Sequence, residues 1–298
     1  MQIAIPERRF PTPRRLRGLT GALGVVGSSW TGRLGAIGVA AITVVSLLGP
    51  LLVTSPYQSD VAHIYEGPSA AHLLGTDFSG RDNVALLVYG GADILLLAFA
   101  TGVLTVALSS AIGAAGAYFG GLVDTVLTGV TDIWLTVPRF VLLIVIASVV
   151  KIDSTLALAA LIAAFSWPAL ARLIRAQVLS LKRREFVEAA QLLDLGAPHI
   201  IAREMLPNMM AFIVVSVIGG MTQAIYAQTS LVFLGIVPLN NNWGVLFSLA
   251  YSRNAIYDAR AAWSLLAPMG AIILLQLSLV LLSRGLEEAF NPRLRTER

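Results

Sequence analysis

The sequence predicts an all-α integral membrane protein of six transmembrane helices with both ends in the cytoplasm. Three observations point there. Charged residues make up only 13% of the 298 residues, where a soluble domain carries about 25%. Uncharged apolar runs long enough to cross a bilayer recur along the chain. Basic residues gather at the flanks of those runs rather than within them.

Residues 1–33 hold Arg8, Arg9, Arg14, Arg15, Arg17 and Arg33 against one acid, Glu7. Pro6, Pro11 and Pro13 argue against a regular helix before Arg14. This reads as a basic cytoplasmic segment. Leu34–Val53 is then uncharged for twenty residues, enough to cross a hydrocarbon core of ~30 Å. A signal peptide has a shorter apolar region and a cleavage site behind it, so this first span is expected to remain.

Residues 54–93 carry Asp60, Glu66, Asp77, Asp82 and Asp93 against Arg81, which fits the outer side. Gly75 and Gly80 permit positive φ, and Asp77 and Asp82 can cap backbone amides. A capped turn leading to an interfacial helix is the expected structure. Ile94–Val123 is uncharged and should contain the second span, ending near Tyr118 before a turn at Gly120-Gly121.

The third span lies within Thr125–Val150 and is interrupted by Asp132 and Arg139. Asp132 is expected at the cytoplasmic interface beside Trp134, and Arg139 deeper, after Pro138. A charge inside the membrane is costly and points first to function. Two readings of Arg139 stand open. It faces a pathway, or it snorkels or pairs with an acid on a neighbouring helix.

Ser154–Ala171 is the fourth span, with a kink expected at Trp167-Pro168. Met205–Ser252 is the longest uncharged run. It divides into a fifth span, Met209–Phe233, and an outer loop, because Asn240-Asn241-Asn242 cannot face lipid. Gly219-Gly220, Gln223 and Gln228 fall inside that span. Small residues allow helices to approach and amides bond between them, so helix packing is expected here before substrate contact. Ala261–Ser283 is the sixth span.

Between the fourth and fifth spans lies the polar segment Arg184–Asn208. Helix formers fill Glu185–Leu195, and Gly196 is expected to end that helix in a left-handed cap. Pro198 can open a second short helix, and Pro207 separates it from the next apolar run. Arg172, Arg175, Lys182, Arg183, Arg184 and Arg203 cluster around it. This is the strongest concentration of positive charge after the amino-terminal segment, and it places the hairpin in the cytoplasm.

The hairpin resembles the EAA loop of permease subunits of ABC importers. The matching residues are Glu188-Ala189-Ala190, Gly196 and Leu206-Pro207, and the proline lies nineteen positions after the glutamate, as in the family. Two positions depart from the pattern. Asp194 stands where the family glycine usually lies, and Glu204 stands at a family isoleucine. Leu74-Gly75-Thr76-Asp77-Phe78-Ser79-Gly80-Arg81-Asp82 resembles the LGTDxxGRD signature of peptide-transporter permeases. The family's following arginines and serines are replaced here by Leu86, Ala92, Ala85 and Ile94. The run around Pro138 is similar to the family's VDxxLxxPxxL, with Arg139 in place of a small polar residue. Ser166-Trp167-Pro168 through Leu181 resembles the lead-in to the EAA loop. Ser230–Gly235, Trp243-Gly244 and the tail from Gly285-Leu286 to Arg295 also match.

The resemblance covers residues 34 to 295 and identifies the chain as a member of the dipeptide/oligopeptide permease C-subunit family, with the type I importer permease fold. It divides the chain into a basic segment (1–33), a first helix (34–53), an extracytoplasmic loop (54–93), a permease core (94–295) and a tail (296–298). It implies multi-pass placement in a bacterial plasma membrane. It also implies a homologous partner permease, two ATPase subunits or a fused ATPase, and an extracytoplasmic substrate-binding protein. The substrates of the family are peptides and, in some members, nickel complexes or haem. ATPase coupling is carried over to Glu188, Ala189, Ala190, Gly196, Leu206 and Pro207.

Arg139, Asp132, Gln223 and Gln228 remain candidates for pathway or interhelical contacts. No GxxxxGK[ST] phosphate loop occurs, so ATP and Mg are expected in partner chains, with no cofactor and no catalysis on this one. Cysteine is absent, and His63, His72 and His199 are scattered in sequence, so no metal site is expected. No nucleic-acid partner is indicated. A stand-alone secondary transporter would show paired ionisable groups at the midplane and often repeats. A membrane-anchored structural protein would need no such hairpin.

Overall fold

The computed structural model describes residues 29–54, 56, 58–237 and 242–290. The arginines before residue 29, Asn240, Asn241 and the tail motif at Pro292–Arg295 lie outside the described residues. Among the described residues, regular structure is helical apart from one antiparallel bridge between Thr76 and Asp82.

The helices are α1 (Trp30–Leu48), α2 (Asn83–Phe119), α3 (Gly121–Thr136), α4 (Arg139–Val149), α5 (Thr155–Lys182), α6 (Glu185–Leu192), α7 (Met210–Phe233), α8 (Trp243–Ser252) and α9 (Ala262–Phe290). Five of them are long and apolar enough to cross a membrane: α1 with its 3-10 extension to Leu51, α2, α5, α7 and α9. The candidate for a sixth crossing is α3 with α4, which pass the same test together and are bent by 82° at their junction. The third span is thus broken rather than continuous. Pro138 removes a backbone donor and disfavours helix at the residue before it. Val137 accordingly leaves the helix at φ −94°, ψ 130°.

Three spans are longer than the uncharged runs suggest. Asp82 accepts from the Ala85 amide at 2.9 Å and starts α2 eleven residues before Ile94. The outer loop therefore ends at Asp82, and the turn leads straight into the spanning helix rather than into an interfacial one. Its 37 residues would extend ~55 Å, well beyond the hydrocarbon core. α5 continues through Pro168 and past Arg172 and Arg175 to Lys182, and α9 runs to Phe290.

α2 lies at the centre, packed along α5 and α7, while α1 runs beside α9. Glycines set two of these crossings. A Cβ on Gly285 would lie 2.1 Å from the Gly32 Cα, and one on Gly35 would lie 2.2 Å from the Leu282 nitrogen. Gly220 faces Gly102 in the same manner, 2.9 Å from Cβ to Cα. The close approach expected from Gly219-Gly220 falls on Gly220 alone. Leu97, Leu143, Leu158, Ile162, Ala224 and Leu231 form a core shared by α2, α4, α5 and α7.

The loop between α1 and α2 is held together by polar bonds. Asp77, 4% exposed, accepts from the Ser79 and Arg81 amides at 2.8 and 2.9 Å and from the Arg81 guanidinium at 2.6 and 2.8 Å. Gly75 and Gly80 sit at φ 67° and 73°, as their sequence context predicts. His72 bonds Asp82 at 2.8 Å, and its ring lies 6.1 Å from that of His63. The two histidines meet in space, yet no group of three metal-ligating residues forms among the described residues.

Candidate functional site

The hairpin is built by burying one side of α6. Val187 and Ala190, three apart on one helix face, are buried with Ile200, Met205 and Met209 of the returning arm. They pack against Ala114 and Ala117 of α2 and Ile174 and Val178 of α5. Lys182 closes the joint by donating to the Tyr118 carbonyl at 2.6 Å, at the C-terminus of α2. Glu185 and Glu188 occupy the first turn of α6, where carboxylates favour the helix dipole.

The opposite face of α6 is open. Glu188 and Ala189 are exposed, and Leu192 and Leu193 stand 88% and 73% exposed. Two adjacent bare leucines at the tip of a charged hairpin are the feature that the sequence reading missed. The string Leu192-Leu193-Asp194 at the end of the helix was the available signal.

The turn differs from expectation. The Leu195 amide donates to Ala190 at 3.2 Å and the Asp194 amide to Gln191 at 3.0 Å, which is a Schellman closure. The left-handed residue is Asp194, at φ 53°, not Gly196. Gly196 is extended at φ −58°, ψ 153°. The register follows from burial. Closing the helix at Leu193 keeps Val187 and Ala190 inward and brings Leu195 back onto the same cluster. Aspartate tolerates the left-handed region better than most residues. Pro198 opens the return arm within Ala197–His199, as predicted. A π-helical stretch, Ile200–Met205, precedes Leu206-Pro207. Pro207 lacks the amide that an α-helical ladder would use there.

The sequence-predicted polar residues of the membrane region fall into two places. Asp132 pairs with Arg172 of α5 at 2.5 Å. Asp124 accepts both Nε and Nη2 of Arg175, at 2.6 and 2.5 Å. These bonds fasten α3 to α5. Arg139, at the start of α4, donates to Oε1 of Gln223 on α7 at 3.0 Å. Its partner is an amide, not the acid that one of the two readings expected. Gln228 is fully buried in α7, and its amide meets no partner among the described residues.

A cleft of about 280 Å³ opens at the break between α3 and α4. Trp134, Pro138, Arg139 and Leu142 line one side, and Phe165, Ser166 and Pro168 of α5 the other. Trp134 stacks on Phe165 at 5.6 Å.

Residues 92–296 match the family described as the inner membrane component of binding-protein-dependent transport systems. The chain belongs to that family. It is a multi-pass protein of the bacterial inner membrane. A protein of Brucella suis biovar 1 (strain 1330) named as a peptide permease is 35% identical over 268 residues, covering 85% of this chain and 87% of its own. The dipeptide transport system permease protein of Alkalihalophilus pseudofirmus is 31% identical over 88% of this chain and 86% of its own. The oligopeptide transport system permease protein of Mycobacterium tuberculosis (strain ATCC 25618 / H37Rv) is 29% identical over 84% and 86% respectively.

Proposed function

We propose that this chain is the permease subunit of an ATP-driven ABC importer of peptides, and that Arg184–Asn208 is its coupling element. The hairpin carries the reading. One of its faces is locked to the ends of α2 and α5, while the other presents Glu188, Ala189, Leu192 and Leu193 unpartnered. Small and apolar side chains let such a helix sink into a groove on an ATPase subunit, and Glu188 can meet a cationic or amide partner there. Gly196, Leu206 and Pro207 shape the return arm.

In this reading a second, homologous permease completes the pathway. Two ATPase subunits, or a fused one, lie at the hairpin end and hold ATP and Mg. An extracytoplasmic binding protein delivers peptide at the acidic end, and both termini are cytoplasmic. This chain does no catalysis itself. ATP-driven closure of the ATPase pair moves the docked hairpins, and the two permeases rock as rigid bodies. The nucleotide biases access only because the ATPases contact the hairpins differently in the two states.

The test is peptide uptake and peptide-stimulated ATP hydrolysis measured on one reconstituted complex. Glu188→Lys should leave capture by the binding protein intact and separate hydrolysis from uptake. Transport at the wild-type rate per ATP in that variant removes the hairpin as the coupling element.

A further inference from the structure

We infer that the cleft at the broken third span is a way-station that holds the terminal carboxylate of a peptide in transit, with Arg139 as its binding residue. The inference rests on the peptide-importer reading above.

Charge decides the ligand class. Three charged side chains lie around the break. Asp132 is compensated by Arg172 at 2.5 Å, whereas Arg139 forms no ion pair among the described residues and bonds only the neutral amide of Gln223. The group therefore carries one uncompensated positive charge within a membrane span. Such a cation is expensive, and an anion would offset that expense. The arrangement is also ready for one. Gln223 occupies a single donor of a guanidinium that has five, and holds the side chain across the α4–α7 gap, so a two-pronged carboxylate contact remains open. Arg139 also begins a helix of eleven residues, whose aligned peptide dipoles add to its field.

Shape agrees with the charge. The cleft, about 280 Å³, is close to the ~300 Å³ at which small-ligand pockets begin. Its wall is the stacked pair Trp134 and Phe165, with Ser166 beside them. Aromatic faces accept side chains of many shapes without selecting one. A transporter of varied peptides can recognise only what all of them share, and the terminal carboxylate is shared.

The experiment compares a peptide with its carboxy-terminal amide in the reconstituted complex, each presented on saturating loaded binding protein, so that capture is equal. The wild type should carry the acid at least tenfold faster than the amide. Arg139→Gln should bring that ratio close to one, chiefly by slowing the acid, and Arg139→Lys should keep most of it. Assembly of each variant with its partner chains is checked by co-purification. An acid-to-amide ratio near one in the wild type overturns the inference. So does an assembled Arg139→Gln complex that slows both peptides in the same proportion, since that marks a structural role. Absence of ATP-dependent uptake of either peptide by the wild type is a different result, and it overturns the importer reading instead.

Discussion

Replacing Asp194 and Gly196 in turn separates two accounts of the hairpin turn. A left-handed backbone costs an L-residue about 1–2 kcal/mol, less for aspartate, because Cβ crowds the following carbonyl. Asp194 already carries that strain at φ 53°. Valine there adds β-branching and loses the short polar side chain, so Asp194→Val should weaken the turn by about 1–2 kcal/mol or more. That is about 5- to 30-fold in the opening equilibrium. Gly196 has φ −58° and ψ 153°, a region open to any residue. Beyond its chain neighbours, a Cβ there would meet only Pro198 Cδ, at 3.9 Å. Gly196→Val should therefore stay within ~0.5 kcal/mol. The reporter is hydrogen exchange at the Leu195 amide, which donates to Ala190 across the turn. Exchange there should rise in Asp194→Val and hardly change in Gly196→Val. Equal acceleration by the two variants would refute the assignment of the strained position.

Arg175→Ala should lower thermal stability in detergent more than Arg172→Ala. The Asp124–Arg175 pair is two-pronged and only 20% and 34% exposed, against 51% and 53% for Asp132–Arg172; the former is worth about 1.5–3 kcal/mol and the latter under ~1, and equal losses would contradict this. In the loop between α1 and α2, the hydrogen bond that the His63 ring donates to the Asp60 carboxylate raises the His63 pKa, helped by the charges of Asp60 and Glu66, while the bonds from His63 and the Ala62 amide lower that of Asp60. That pair's stabilisation is present above about pH 3.8 and below about pH 6.5, and is lost on acidification through the lowered carboxylate value or on alkalinisation through the raised histidine value. NMR titration of the His63 ring should move back toward its ordinary range in Asp60→Asn; no movement would remove the pair. A cysteine at Ser79 should react with an impermeant reagent from outside and one at Gln191 should not; labelling of both from one side contradicts the orientation.

The spans were legible because burial in lipid demands long uncharged runs. Their ends were not, because a charge does not end a helix if it finds a partner. Charge alone assigns Arg175 to the loop after the fourth span, yet Asp124 lies within reach on α3 and α5 continues. Charge likewise assigns Asp93 to the loop before the second span, yet it sits in the third turn of α2, which Asp82 starts. Pro138 was visible, but an 82° bend rather than a kink depends on what each half packs against. The hairpin was legible as a motif, and its turn was not. Conformational preference points to Gly196, while the burial of Val187, Ala190 and Leu195 fixes the register and assigns the left-handed position to Asp194. The pairing of Arg139 with Gln223 crosses 84 residues, and no local pattern carries it.

The two halves of the broken span are attached differently, and that bears on how a hairpin could act at a distance. α5 is one helix from Ser166, at the cleft, through Ile174 and Val178, under the hairpin, to Lys182. Pro168 and Val178 are ~15 Å apart along it. Arg172 and Arg175, between those points, hold α3 by charged bonds. α4 makes no charged bond to α5; it packs on that helix through Leu143 and Ala147 in the shared core and is tied through Arg139 to α7. A displacement of the hairpin that carries α5 must break the Asp124–Arg175 bonds or take α3 along. Breaking them costs about 1.5–3 kcal/mol. Val137 is extended and outside both helices, whereas the Pro138 carbonyl already accepts the Val141 and Leu142 amides of α4, so rotation at Val137 breaks no helical hydrogen bond. In such a displacement α3 would follow α5 through its charged bonds while α4 is held by packing and by Gln223, and any difference between the two movements would fall on the bend at Pro138, beside the cleft that contains Arg139.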